Sequence, residues 1–185
     1  MFASFKSNEE IRSHTLDDDL DPFAKCKILL RSAYEAQLIC GVRSLPDLLR
    51  LDPDKTQHRL LPDFKTTCFH DDLNRSQDFY QSLSQSLLTI LAERLLADFS
   101  FHFTELITNK VYLYCDKPTD YENYAIGQMW VQLMCDVIER LDEACVKEDV
   151  FDRIPRMKLQ FTSRRTREYV AMILGKVAPK LSHQA

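Results

Sequence analysis

The chain has 185 residues, of which 45% are hydrophobic and 28% are charged, and its net charge at pH 7 is −4. This length and composition suit a folded domain with a buried core and exclude wholesale disorder. Only three residues are glycine, which excludes the function classes built on glycine-rich phosphate loops, dinucleotide fingerprints and strained nucleophile turns.

The N-terminus and the apolar stretches indicate a cytoplasmic protein. The first ten residues contain no continuous apolar core of the kind that a secretory signal needs. The most apolar stretch, residues 84–97, is interrupted by Glu93 and Arg94, so it is too polar for a membrane span. We therefore expect an intracellular protein that makes no contact with membranes.

The cysteines are expected to be reduced and mostly buried. Most of them lie among apolar residues, in a chain long enough to fold without disulfides. No two of them have the C-x2-4-C spacing that lets one turn present two thiolates to zinc. We therefore predict no metal site and no cofactor. The six positions are Cys26, Cys40, Cys68, Cys115, Cys135 and Cys145.

Residues 1–21 predict an N-terminal tail. Ser7 and Glu10 have the spacing of a capping box, which predicts a short helix around residues 8–12. The acidic run at residues 17–21 follows and is expected to act as a linker.

After this tail we expect a single helical domain that spans residues 22–185. Start and stop signals mark its first helix. Asp21 supplies a side-chain acceptor for an N-cap, and Pro22 suits the first helical position. Gly41 is well placed as a stop signal, so the sequence predicts one helix over residues 22–40.

The middle of the chain predicts short helices and then a long amphipathic segment. A proline at the first position of a helix is favourable, so Pro46 and Pro53 predict short helical turns over residues 46–50 and 53–60. The amphipathic segment begins after an N-cap at Asp71 or Asp72. It predicts either one long helix or two helices joined near residues 98–100.

Two more helices are predicted in the C-terminal part. Thr119 and Glu122 have capping-box spacing, which predicts a helix over residues 120–146. Residues 156–161 alternate between polar and apolar, as in one short strand, but no partner strand is evident. The last helix is expected to run from residue 162 or 163 to about residue 177. These patterns predict an all-α fold, an irregular bundle of about four main helices plus short accessory helices.

Charge is distributed unevenly between the body of the chain and a basic C-terminal region, residues 152–185. From Arg153 onwards there are eight basic residues and one acidic residue, a net charge of +7. Because the whole chain carries −4, residues 1–152 carry −11. Such asymmetry indicates a chain with a basic end and an acidic body.

Three arginines fall in the first turn of the predicted last helix, where the helix dipole disfavours cations. This placement indicates an anion site, and nucleic-acid phosphate is the expected ligand because guanidinium matches its geometry. The alternative is that the arginines pair with the acidic body or are solvated. The candidate residues are Arg156, Lys158, Arg164, Arg165 and Arg167.

The function that these observations favour is that of a non-enzymatic subunit or adaptor in a larger intracellular assembly, acting through protein–protein contacts and without catalytic residues. The first alternative is a subunit that binds a nucleic-acid backbone through the basic C-terminal region. The helical small subunits of nucleic-acid-guided effector complexes are similar in size and helix content, an analogy of architecture that carries over no residue.

A second alternative is a metal-dependent phosphohydrolase. His70 followed by Asp71 resembles the adjacent pair of the all-α HD-type phosphohydrolases. That family also needs a histidine well upstream, whereas His58 is close to the pair and His14 lies in the predicted tail.

Overall fold

The computed structural model describes residues 20–70, 75–116, 121–152 and 164–181. Every regular element within these ranges is helical, which confirms the all-α prediction. The helices are α1 (Pro22–Leu30), α2 (Glu35–Leu51), α3 (Pro53–Arg59), α4 (Leu61–Phe69), α5 (Gln77–Ala92), α6 (Glu105–Asp116), α7 (Tyr121–Arg140), the single turn α8 (Glu143–Cys145) and α9 (Arg164–Leu181). Two π-helical turns accompany them: the first π turn (Ser100–Thr104) leads into α6, and the second π turn (Val146–Phe151) follows α8.

Helix α7 lies at the centre of the contacts between the longer helices. Helix α2 packs on α1 and α5, α5 packs on α7, and α7 packs on α6 and α9. Their facing sides form a continuous core in which Trp130 and Phe103 are almost wholly buried. Among the described helices, none is long and apolar enough to cross a membrane.

The prediction of one helix over residues 22–40 is wrong. Helix α1 ends at Leu30, and α2 begins at Glu35 after a short polar turn. Gly41 lies inside α2, so the prediction that it ends a helix is also wrong. A Cβ atom there would lie only 3.1 Å from the backbone nitrogen of Leu30, so this glycine lets α2 approach α1 closely.

Pro46 lies inside α2, so the predicted turn over residues 46–50 is part of a longer helix. A proline has no N–H, and the carbonyl of Val42 therefore loses its donor within the helix. The hydroxyl of Ser86, from α5, donates to this buried carbonyl at 3.0 Å. The hydrogen bond compensates for the proline and ties α2 to α5.

The other predicted elements lie close to the observed ones. The predicted short helix at 53–60 is confirmed as α3. For the long amphipathic segment the sequence left one helix or two open, and the structure shows two, α5 and α6. Helix α5 starts after Ser76, which caps it, whereas Asp71 and Asp72 lie outside the described residues. The chain leaves α5 at Glu93, earlier than the predicted joint.

The C-terminal helices differ from the prediction at their ends. Helix α7 stops at Arg140, not near residue 146, because Asp142 caps a new turn by accepting a hydrogen bond from the Cys145 N–H at 2.8 Å. Helix α9 continues to Leu181 and includes Pro179. Thr119 and the predicted strand at 156–161 lie outside the described residues.

We expect Ser86→Ala to lower the free energy of unfolding by about 1–3 kcal/mol, because the buried Val42 carbonyl then has no donor. Adding Pro46→Ala should restore most of this loss, since the new residue donates its own N–H to Val42. Urea unfolding of the wild type, both single variants and the double variant measures the coupling.

Thr89→Ala is the matched control for this cycle. The Thr89 hydroxyl bonds only to the Gln85 carbonyl of its own helix, so its removal should change stability little. Additive losses in the double variant would show that Ser86 does not compensate for Pro46.

Candidate functional site

The structure separates the basic residues that the sequence singled out. The side chain of Arg164 is 88% exposed, and its Nε lies 2.7 Å from a carboxylate oxygen of Glu168, one turn further along α9. Arg167 is also exposed, whereas Arg165 is buried. Arg156 and Lys158 lie outside the described residues. The arginines therefore do not form one solvent-facing cluster.

Arg165 attaches α9 to the helices beneath it. One of its terminal nitrogens donates to the carbonyl oxygen of Tyr114 at 3.3 Å, and its guanidinium carbon lies 5.4 Å from the centre of the Tyr124 ring. Tyr114 is in the last turn of α6, where carbonyl groups lack donors within the helix and the dipole favours a cation. The positive charge of Arg165 is therefore unfavourable at the N-terminus of α9 but favourable at the C-terminus of α6.

Gly127 of α7 leaves room for α9 to pack closely against α7. A Cβ atom at this position would lie 2.6 Å from the hydroxyl oxygen of Tyr169. That hydroxyl donates to the carbonyl of Tyr124 at 3.4 Å. Arg165 and Tyr169 are thus held by packing. Among the candidate arginines that the structure describes, Arg164 and Arg167 keep exposed guanidinium groups, and the anion site stays a prediction.

The phosphohydrolase alternative gains no support from the surroundings of His70. This residue ends α4, and its carbonyl accepts a hydrogen bond from the ammonium of Lys110 at 2.8 Å. Asp71 lies outside the described residues. Within the described ranges, no group of three or more His, Cys, Asp or Glu side chains could hold a metal ion.

The buried thiols are poor candidates for nucleophiles. All six cysteines are free, and Cys26, Cys68, Cys115 and Cys135 are buried, which agrees with the prediction that most of them are. Burial raises the pKa of Cys26 to about 12 and also raises the pKa of Cys68. The protonated thiol therefore dominates at neutral pH, and a thiol is a weak nucleophile compared with a thiolate.

A groove that sequence reasoning missed lies between the end of α5 and the end of α7. It encloses about 630 Å³. Its walls come from the segment that joins α5 to α6, from the first π turn and from the residues on both sides of α8. The lining residues are Leu91, Arg94, Leu96, Ala97, Asp98, Phe99, Ser100, Phe101, Glu105, Arg140, Leu141, Asp142, Cys145 and Asp149.

Arg94, which lines this groove, has an unusual backbone conformation. Its φ is 52°, and no other described non-glycine residue has a positive φ. The Arg94 N–H donates to Leu91 O at 3.2 Å, and the Leu95 N–H donates to Ile90 O at 3.0 Å. This pair of hydrogen bonds defines a Schellman motif, in which the left-handed position is usually glycine.

A bidentate ion pair fixes the end of α5 beside Arg94. Both carboxylate oxygens of Glu93 accept hydrogen bonds at 2.7 Å from Arg50, which belongs to α2. The hydrogen bonds from Arg50 lower the pKa of Glu93, so the pair is ionised at neutral pH. The backbone that carries Arg94 is therefore anchored to α2 through the preceding residue.

Phe101 is the most exposed large apolar residue among those that the structure describes, with 81% of its surface accessible. It lies on the first π turn, and its ring centre is 5.3 Å from that of His102. The turn is held from below by the Ser100 hydroxyl, which donates to Asp149 on the second π turn and lies 3.0 Å from the Thr104 hydroxyl. The two π turns are thus joined under an exposed aromatic ring, and π turns are frequent at functional sites.

The charge of the groove is mainly negative. Four carboxylates line it, from Asp98, Glu105, Asp142 and Asp149, against the guanidinium groups of Arg94 and Arg140, which leaves a net charge of −2. The backbone hydrogen bond from Cys145 lowers the pKa of Asp142. The groove therefore presents an exposed aromatic ring among acidic side chains.

A lysine and a histidine meet beneath the same π turn. The ammonium of Lys65 lies 2.8 Å from Nδ1 of His102. Burial and the Lys65 charge lower the pKa of His102 below its usual 6.5, with Asp98 acting in the opposite direction. Burial also lowers the pKa of Lys65. The neutral imidazole is therefore the form that the folded chain prefers.

This preference makes the fold sensitive to acid. Because the folded-state pKa of His102 lies below the unfolded value, its stabilising contribution is present above about pH 6.5 and is lost as the pH falls. We expect the free energy of unfolding to decrease between about pH 7 and about pH 5. His102→Asn should flatten this dependence, since the amide oxygen accepts from Lys65 without titrating.

His58→Asn is the control for the pH series. His58 is an exposed residue of α3, so this variant removes one histidine without altering the pair of Lys65 and His102. A slope that is the same in His102→Asn and in the wild type would contradict the assignment.

Comparison with known proteins adds a distant likeness to a regulatory protein. No protein-family model matches the chain, and no solved structure matches it significantly. The chain is 22% identical over 177 residues to serine/threonine-protein phosphatase 4 regulatory subunit 4 of Homo sapiens, and equally to the Mus musculus protein. The matches cover 96% of this chain but 19% of each relative, so the chain spans less than a fifth of their length. This chain is thus similar to one part of a phosphatase regulatory subunit.

Proposed function

We propose that this chain is a non-catalytic regulatory module that binds a protein partner through the groove between α5 and α7. The similarity to a phosphatase 4 regulatory subunit supports the class of function. It also suggests the partner to test first, the catalytic subunit of serine/threonine-protein phosphatase 4. The residues that line the groove support it as the place of contact.

The observation that carries this proposal is the left-handed backbone of Arg94. A non-glycine residue in this conformation costs about 1 kcal/mol relative to glycine. Backbone strain of this kind persists only where the surrounding structure imposes it, and it clusters at functional sites. The exposed side chain of Arg94 lines the groove, where its guanidinium can donate hydrogen bonds to a partner.

Phe101 supplies the apolar part of the contact. Aromatic and arginine side chains are the residues that most often dominate the energetics of protein interfaces. The ring is 81% exposed, so a partner that covers it removes a large apolar surface from water, which favours binding. Arg94 and Phe101 together therefore resemble the centre of an interface.

The surrounding carboxylates favour a partner segment with basic side chains. The net charge of −2 in the groove attracts cations and repels acidic segments. Asp142 and Asp149 already accept hydrogen bonds within the chain. Together with Asp98 and Glu105, they give the groove the negative charge that a partner would meet.

We expect Arg94→Gly to separate stability from binding. The glycine relieves the strain and should raise the free energy of unfolding by about 1 kcal/mol, while the lost guanidinium should weaken binding by about tenfold. Phe101→Ser should weaken binding to a similar degree. Interferometry with purified phosphatase 4 catalytic subunit measures affinity, and urea unfolding measures stability.

Leu51→Ser is the matched control for Phe101, because Leu51 is also a well-exposed apolar residue, with 65% of its surface accessible, but lies on α2 and does not line the groove. It should bind as the wild type does. If Arg94→Gly is more stable and binds with unchanged affinity, the groove is not the contact site. If the wild type does not bind the catalytic subunit at all, the choice of partner is wrong.

A further inference from the structure

We propose that Arg50 of α2 is a positioning residue for the groove between α5 and α7. It binds the carboxylate of Glu93 and so leaves the guanidinium of the neighbouring Arg94 available to a partner. This role rests on the proposed function, because Arg94 contributes to binding only if the groove is the contact site. Arg50 itself does not line the groove.

Glu93 and Arg94 are neighbours of opposite charge whose side chains go to different places. Their Cα atoms are about 3.8 Å apart, as across any trans peptide bond, and both side chains are exposed. Arg94 lines the groove, whereas Glu93 does not line it and binds Arg50 on α2. Without another partner for Glu93, the attraction between two charges so close together would favour an ion pair between them.

The carboxylate of Glu93 is fully engaged by Arg50. Its two oxygens accept hydrogen bonds from Nε and from a terminal nitrogen of Arg50, each at 2.7 Å. Such a bidentate arrangement adds geometric specificity to the attraction between the charges. The hydrogen bonds and the charge of Arg50, and not the charge of Arg94, lower the pKa of Glu93. Arg50 is therefore the cation that Glu93 meets.

The guanidinium of Arg94 has no partner in the parts of the chain that the structure describes. It forms no ion pair and no side-chain hydrogen bond there, although Asp98 lines the same groove. Arg140, the other arginine of the groove, donates to the carbonyl of Asp136 at 2.8 Å. Arg94 is therefore the guanidinium that a hydrogen-bond acceptor on a partner would meet.

Arg50 has a second acidic partner, which makes its role separable from that of Glu93. The carboxylate of Asp47, one turn earlier on α2, also accepts a hydrogen bond from Arg50. The charge of Glu93 can therefore be removed without leaving Arg50 unpaired. Removal of Arg50, by contrast, releases a carboxylate directly beside Arg94.

Affinity for the phosphatase 4 catalytic subunit, measured by interferometry, tests this difference. In Arg50→Gln the released carboxylate of Glu93 competes for Arg94, and we expect binding to weaken by about threefold to fivefold, the range of an exposed ion pair. Glu93→Gln should bind as the wild type does. The double variant, Arg50→Gln with Glu93→Gln, should regain wild-type affinity. If the ion pair served only to anchor the end of α5, both single variants would lose affinity equally.

Two controls separate position from charge and from stability. Arg31→Gln removes the same charge from an ion pair with Asp63 at the C-terminus of α1, outside the groove, and should leave binding unchanged. Urea unfolding shows whether any variant is destabilised. A general effect of charge has the opposite sign, because the loss of Arg50 makes the surface more acidic and would strengthen binding of a basic segment.

Titration of the Glu93 carboxylate by NMR tests the same role without a partner. With Arg50 present, Arg94→Gln should leave the pKa of Glu93 unchanged. In the Arg50→Gln background the same substitution should raise the pKa of Glu93, because it removes the cation that has replaced Arg50. The titration does not require the catalytic subunit, so failure of the proposed function is distinguishable from failure of this role.

Two results would overturn the proposal. The first is a pKa of Glu93 in Arg50→Gln that Arg94→Gln does not change. The second is a loss of affinity in Glu93→Gln as large as that in Arg50→Gln, or tighter binding by Arg50→Gln than by the wild type.

Discussion

The constraint on which much of this structure depends is the satisfaction of helix C-termini without glycine. The last carbonyl groups of a helix have no donors within it, and a glycine in left-handed conformation is the usual solution. Here all three glycines lie inside helices, and none has a positive φ. The chain uses cationic side chains from other helices in that role. Lys110 donates to the carbonyl of His70 after α4, Arg165 to that of Tyr114 in α6, and Lys180 to that of Leu141 after α7.

Each of these hydrogen bonds also determines how two helices pack. A side chain that reaches another helix's C-terminus must come from an element packed beside it, so the cap and the tertiary contact form together. The attachment of α9 shows this most clearly, because Arg165 binds the end of α6 while Tyr169 lies against Gly127 of α7. The end of α5 is satisfied in a different way. There the left-handed residue is Arg94 itself, and this difference is what places a guanidinium in the groove.

The sequence predicted the class of fold but not the features that position the candidate site. Apolar periodicity and proline signals were sufficient for the all-α class and for α3, whereas they left open whether the segment of α5 and α6 is one helix or two. The break after Leu30 was missed because Ser32 and its neighbours carry no strong stop signal, whereas Gly41 does. In fact Gly41 serves close packing against Leu30, which only the tertiary structure reveals. Pro46 was misread for a similar reason, since its compensating donor, Ser86, is distant in sequence.

The candidate site was hidden for the same physical reason. Glu93 and Arg94 were visible only as charges that interrupt an apolar stretch, and no local pattern distinguishes a left-handed arginine from an ordinary surface residue. The position of Arg165 in the first turn of α9 did indicate that something other than its own helix holds it. The carbonyl of Tyr114, not a phosphate group, is the partner that the structure gives it.

The most direct test of the central claim is hydrogen–deuterium exchange of the chain with and without the phosphatase 4 catalytic subunit. If the groove between α5 and α7 is the contact site, the complex should slow exchange around residues 94–105 and 140–149 and leave α1 and α3 unchanged. Slower exchange in α1 and α3 with no change around Arg94 and Phe101 would contradict the account.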